Sequence, residues 1–299
     1  MKFSSFKFVA VLAAFLAAPF LISSARVAAQ QKPNATPGTP ATPSSSTPQS
    51  QSTPSQSNGL PNAAPATPAT VDPAEETDYK AFAAIPATDA DKRITAGEAF
   101  VAKYPNSRYA GNVYSVLTQA EYSKQDVPKT EADGQKAIAA NPDDLSALII
   151  VGSIIPRAYD PNNPGAKEQL DQAEGYVKHA LEVIPNLQKP VNLTDDQFNS
   201  VKTDASNQAH SALGLIYFRK QNVDGCVTEL KSATDSGKNV DPTDFYVLGI
   251  CQKAKSDFTN AADSFGKCAA IPGGLAQRCK DAADDAKKQA GSAKPPVSK

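Results

Sequence analysis

A spacing of 35 residues constrains this chain more than any other feature. Leu213-Gly214 recurs as Leu248-Gly249, and Ala233 recurs as Cys268, each pair 35 residues apart. His210, Leu213 and Tyr217 lead on to Cys226, Leu230 and Ala233; Phe245 and Leu248 lead on to Ala261, Phe265 and Cys268. Apolar residues returning every three or four positions, with few β-branched alternating runs, predict an all-α fold. A helical unit of this length cannot bury its apolar stripe alone and must stack against its neighbours.

These residues resemble the tetratricopeptide repeat, a helix–turn–helix of 34 residues with the pattern W-x2-L-G-x2-Y, then A-x3-F, then P. His210 and Phe245 stand at its tryptophan place and Gln252 at its tyrosine place, while Cys226 and Cys268 take small-residue places on the second helix. An earlier unit over 111–144 shows Leu117, Tyr122, Ala137 and Pro142, with Thr130 and Gly134 at its Ala and Phe places. The next, over 145–185, shows Val151-Gly152, Ala173, Val177, Ala180 and Pro185, and carries about nine extra residues within RAYDPNNPGAK. Upstream, DADKRITAGEAFVAKYPNSRY looks like a helix ending in a turn seen in tetratricopeptide proteins of the bacterial cell envelope. Thr194 is placed to cap a long helix reaching about Lys220. The resemblance implies a right-handed superhelix of helix–turn–helix repeats over 74–290, closed by a polar C-terminal capping helix after Gly273-Gly274.

The two ends are of another character. MKFSSFKFVAVLAAFLAAPFLISSARVAAQQ has a short basic start, an apolar run and a small-residue end, the form of a secretory signal peptide cleaved after about Ala29. Its apolar core is shorter than the roughly 20 residues of a membrane-spanning helix, and no second run of that length follows. Residues 30–73 are Pro, Ser, Thr, Gln and Ala with only Lys32 and Asp72 charged, a composition that predicts a disordered linker. Residues 291–299 read as a disordered tail. A net charge of −1 gives no electrostatic footprint for nucleic acid.

Catalytic motifs are missing: there is no GxSxG, HExxH, P-loop or GxGxxG, and His179 and His210 fall on different repeats. No cofactor or metal is expected. Asp143-Asp144 and Asp195-Asp196 suit helix starts, where they complement the dipole. The family's first helices line a concave face. Carried onto this chain, that face comprises Asn112, Ser115, Gln119 and Tyr122; Ile149, Ser153 and Arg157; Ser211, Leu215, Phe218 and Arg219; and Tyr246, Ile250 and Lys253. Some members grip a C-terminal carboxylate with Lys and Asn; Ser115, Gln119 and Ile150 fill those places here, so that clamp is absent. The mixture of apolar anchors and cations suits an extended or helical peptide. The reading is a non-catalytic protein-binding scaffold exported to the periplasm or cell envelope of a bacterium, its partner a protein or peptide. The alternatives are a component of an envelope assembly machine, for outer-membrane protein insertion or pilus biogenesis, and a small-ligand binder or enzyme.

In such a solenoid the second helix of one unit runs antiparallel to the first helix of the next. Residues facing each other are then equally far from the connecting turn. Cys226 and Cys251 are centred near Lys238-Asn239, and Cys268 and Cys279 on Gly273-Gly274. Together with the export signal this predicts the disulfides Cys226–Cys251 and Cys268–Cys279; the alternative is four buried thiols at alanine places.

Overall fold

The computed structural model describes residues 72–235 and 240–292. The expected export signal, nearly all of the expected linker and residues 293–299 lie outside the described residues. Pro73, assigned to the linker, already opens the first helix, and Gly291 and Ser292, assigned to the tail, still belong to the last one.

Among the described residues the chain is helical throughout, without a strand. Its helices are α1 (Pro73–Ala83), α2 (Ala90–Lys103), α3 (Ala110–Lys124), α4 (Val127–Ala140), α5 (Leu145–Ala158) and α6 (Ala166–Val183). They continue as α7 (Asp195–Arg219), α8 (Val223–Thr234), α9 (Pro242–Ala254), α10 (Phe258–Ala270) and α11 (Ala276–Ser292). Each helix packs on the next along the chain, and α3, α5, α7 and α9 also contact one another in succession. This is the packing of stacked helical hairpins, with the first helix of each hairpin against the first helix of the next. The largest apolar cluster lies in α5, α6 and α7, where Leu148, Val151, Ile154, Leu170, Val177, Leu213 and Ile216 are buried.

A close approach of the two helices recurs in each hairpin. A Cβ added to Gly214 would lie 2.4 Å from Leu230 Cγ, and one added to Gly249 would lie 2.6 Å from Phe265 Cε1. Both glycines precede their partner by sixteen residues. Gly152 meets Val177 in the same way, at 2.2 Å. That partner comes twenty-five residues later, nine more, which is the length of the insertion. In the first hairpin the sixteen-residue pair is reversed: Thr118 stands on α3 and Gly134 on α4, where an added Cβ would lie 3.2 Å from Thr118 Cγ2 and 2.3 Å from Val151 Cγ2. A glycine at the Phe place therefore keeps the approach with its partners exchanged.

The same substitution should consequently act in opposite directions at two glycines. Gly152→Ala must displace the stiff β-branched Val177, an overpacking cost of about 1–3 kcal/mol that exceeds the roughly 1 kcal/mol gained in helix propensity. Gly175→Ala in α6 meets nothing within 4 Å and should stabilise by about 1 kcal/mol. Urea unfolding of the two variants checks this. Equal shifts would show that the approach at Gly152 is not close.

The turns inside three hairpins are built alike. Gln125, Gln221 and Ser256 adopt positive φ of 63°, 59° and 61°. The next residue in each case, Asp126, Asn222 or Asp257, caps the second helix through its side chain. The amides of those capping residues bond back to the carbonyls of Glu121, Tyr217 and Gln252 at 3.1, 2.9 and 2.9 Å, the paired pattern that satisfies the last carbonyls of a helix. Thr194 and Gln197 form a reciprocal capping box at the start of α7.

KYPNSRY has a local task in this chain, that of holding α1. Asp78 accepts from Lys103 Nζ at 2.7 Å and from the Tyr104 hydroxyl at 2.8 Å. Ser107 donates to Glu75 at 2.6 Å, Arg108 pairs with Glu76 at 3.6 Å, and the Tyr109 ring stacks on Tyr79 with centroids 3.9 Å apart.

At the other end the Sγ atoms of Cys226 on α8 and Cys251 on α9 lie 2.00 Å apart, and those of Cys268 on α10 and Cys279 on α11 lie 1.93 Å apart. Both separations are disulfide distances, and both pairs join consecutive helices across a turn.

Candidate functional site

The residues carried over from the family's concave face separate into three groups. The first is enclosed. Gln119, Ile149 and Leu215 are 4, 1 and 6% exposed, and Ser115, Ser153 and Ser211 are buried as well. Ile149 belongs to the central core, Leu215 packs with Leu230 and Val247, and Gln119 donates to Ser146 at 3.2 Å. These side chains join one first helix to the next and have no face left for a partner. Their positions were read as facing a groove, but the neighbouring first helices approach closely enough to cover them.

A second group is committed to the ends of the described domain. Asn112 is exposed and donates to the Tyr79 hydroxyl of α1 at 3.3 Å. Tyr246 and Ile250 pack on the cluster of Ala261, Phe265, Ala283 and Ala286, with the Tyr246 and Phe265 ring centroids 5.7 Å apart. Lys253 pairs with Asp285 of α11. The capping helix thus takes the seat of a following repeat, and these three residues face it.

The third group comes together. Pro156 and Arg157 end α5, and both arginines of the group serve that helix terminus. Arg157 Nη1 donates to the Ser153 carbonyl at 2.9 Å, and Arg219 Nε of α7 donates to the Pro156 carbonyl at 2.9 Å. These are carbonyls that a helix end leaves without an internal partner, and the cations also suit the negative end of the dipole. The Arg219 guanidinium lies 5.8 Å from the ring centroids of both Tyr159 and Phe218. Arg157 reaches Asp241, the N-cap of α9, at 3.5 Å. Tyr122 of α3 packs on the central core beside this pair; burial raises its phenol pKa, with Arg157 opposing and Asp241 adding to the rise. Four first helices therefore contribute to one partly exposed aromatic and charged cluster: Tyr122, Arg157, Tyr159, Phe218, Arg219 and Asp241.

Behind it, Asp244 is buried and accepts from Ser211 at 2.7 Å. Burial first, and then the neighbouring Asp241 charge, push its pKa up to about 7 against the pull of Arg157 and the Ser211 hydrogen bond. Sequence reasoning missed Tyr159 and Asp241. Tyr159 opens the insertion, where the repeat pattern lapses. Asp241 stands before Pro242 as an ordinary helix start, and nothing local reveals its distant arginine.

The two histidines stay apart. His210 bonds Glu229 of its own hairpin at 2.7 Å, and His179 bonds Asp143 at 2.7 Å and Glu182 at 3.3 Å. Among the described residues no group of three or more His, Cys, Asp or Glu side chains is arranged to hold a metal ion, and no helix is long and apolar enough to cross a membrane.

The hairpin stack and the shared first-helix face define an all-α protein of tetratricopeptide-like repeats. No family model matches the chain, and no curated protein matches it. Among solved structures it is similar to a thermophilic TPR protein of Thermus thermophilus, at 17% identity and a TM-score of 0.42, covering 72% of this chain and 99% of that one. A likeness of that degree carries no argument about function. The repeat is defined here by the chain's own recurring glycine contacts and turns.

Proposed function

We propose that this chain is a non-catalytic scaffold that binds a protein or peptide at the cluster of Tyr122, Tyr159, Phe218, Arg157 and Arg219. The observation that carries the reading is the convergence of aromatic and guanidinium groups from successive first helices on one partly exposed surface. Tyr and Arg are the residue types on which binding energy concentrates. Asp241 already faces Arg157, and both guanidiniums bond helix carbonyls, so the surface favours an apolar or aromatic segment over a strongly acidic one. The chain would work outside the cytoplasm, in a bacterial periplasm or envelope. The signal-like N-terminus and the two cysteine pairs at disulfide distance support that location. The turn KYPNSRY, the feature that points to an envelope assembly component, has its side chains engaged in docking α1.

The test is crosslinked capture from the native envelope with wild-type protein and with a Tyr159→Ala, Phe218→Ala double variant. Capture of the specific partner should fall at least about tenfold, on the order of 1.4 kcal/mol or more, with helicity unchanged. Undiminished capture would move the binding surface elsewhere. Turnover of a small molecule, abolished by substituting one polar residue of this surface, would favour an enzyme instead.

A further inference from the structure

Helix α11 brings no branched aliphatic, aromatic or thioether side chain to the domain. Its buried residues are Cys279, Ala283 and Ala286. They cover a face of α9 and α10 that carries Phe265, Ala261 and Ala262, with Tyr246 and Ile250 partly buried beside them. The polar and cationic ties are superficial: the half-exposed Lys253–Asp285 pair, and the Arg278 guanidinium 6.0 Å from the Tyr246 ring centroid. Ion pairs of that kind contribute little. Three small side chains recover much less apolar burial than the ordering of a 17-residue helix requires. Around Cys268–Cys279 stand Phe245 and, partly buried, Val240, Tyr246, Ile271 and Leu275, but α11 itself adds only Cys279 to that cluster. At the other cysteine pair both helices bring large apolar side chains. Around Cys226–Cys251 stand Leu215, Leu230, Val247 and Leu248, which hold α8 on α9 without a crosslink.

We propose that Cys268–Cys279 is a redox latch on the capping helix: oxidised, it pins α11 to α10; reduced, it releases α11 and uncovers Phe265, Tyr246 and Ile250. The chemistry is thiol–disulfide exchange with a dithiol reductant. One reductant thiolate attacks a sulfur of the bond to form a mixed disulfide, and the second displaces it. Two electrons and two protons pass to Cys268 and Cys279, and the reductant leaves as its disulfide. Both sulfurs belong to buried residues, so attack goes through local opening. Opening α11 exposes only Cys279, Ala283 and Ala286 of its own buried side chains, whereas separating α8 from α9 exposes Leu230 on one helix and Val247 and Leu248 on the other.

Hydrogen exchange of the purified full mature chain carrying Cys226→Ala and Cys251→Ala, in which dithiothreitol can reduce only Cys268–Cys279, tests the latch before and after reduction. Amides of 276–292 should exchange at least about 100-fold faster after reduction, while those of 145–219 and 242–270 change by less than about threefold. A Cys268→Ala, Cys279→Ala variant should show fast exchange in α11 without reductant, and the Cys226→Ala, Cys251→Ala chain should keep α11 protected until it is reduced. Protection of α11 that survives both reduction and the Cys268→Ala, Cys279→Ala substitutions would overturn the proposal. A uniform rise in exchange through all helices would do so equally, since the bond would then be a general crosslink.

Discussion

A Cys226→Ala, Cys251→Ala variant is expected to lose about 3 kcal/mol of unfolding free energy, for a reason that lies mainly outside the folded state. The bond closes a loop with a sequence separation of 25 residues, and in the chain-entropy account such a loop removes roughly 3–3.5 kcal/mol of freedom from the unfolded chain. The folded state should change little, because alanine fits a place where the repeat takes small residues and Leu230 and Val247 remain in contact around it. For a domain of this size the loss corresponds to a fall in melting temperature of about 6–12 °C. Peptide mapping without reduction should recover the 226–251 and 268–279 links from protein purified out of its own compartment. A stability loss under about 1 kcal/mol, or four alkylatable thiols, would mean that the pairs stay reduced where the protein works.

These pairs were legible in the sequence because the rule that places them is local. Consecutive helices fold back about their turn, so equal distance from the turn brings two cysteines together. The hairpins were legible for a similar reason, since the glycine contact returns after sixteen residues. The first hairpin looked degenerate only because Thr118 and Gly134 exchange the large and small partners. The site was less legible. A place in the repeat fixes which way a side chain points but not what covers it. Ile149 and Leu215 point between first helices that approach closely, and Tyr246 and Ile250 point where α11 lies. Arg157 and Asp241 are 84 residues apart, and their meeting depends on how three first helices stack.

Stability should fall as pH rises from 5 to 8, the reverse of ordinary acid sensitivity. Glu121 is buried at the end of α3, and neither carboxyl oxygen has a hydrogen-bond partner. Its counterpart four residues before the positive-φ turn residue of the last hairpin is Gln252, which accepts from Ser264, twelve residues on, at 2.7 Å. Twelve residues beyond Glu121 stands Asp133, a second carboxyl and no donor unless it shares a proton. Burial first, then the Asp133 charge, raise the Glu121 pKa from 4.5 to about 7, with Lys129 pulling the other way. Asp244 rises from 3.8 to about 7 by burial and by Asp241. A carboxyl with a raised folded pKa binds more protons in the native than in the unfolded chain between its two pKa values. Its contribution to stability is therefore present below the unfolded value and lost as pH climbs through the folded one. His179, raised by its bonds to Asp143 and Glu182, acts in the same sense, its contribution fading as pH passes through its raised pKa. Glu174 acts in the opposite sense. Burial alone would raise it, but Lys178 and Lys220 hold it at about 2, so its contribution is lost only as pH falls from about 4.5. Maximal stability should accordingly lie near pH 5. Between pH 5 and 8 the two buried carboxyls together should cost on the order of 2–4 kcal/mol, about 4–16 °C of melting temperature. Glu121→Gln supplies Asp133 with a donor and removes one of the two facing carboxyls, and Asp244→Asn keeps the acceptor for Ser211. The double variant should flatten the profile and exceed the wild type at pH 8. A wild-type melting temperature that rises from pH 5 to 8, or a slope that the two substitutions leave unchanged, would show that these carboxyls are ionised in the folded protein.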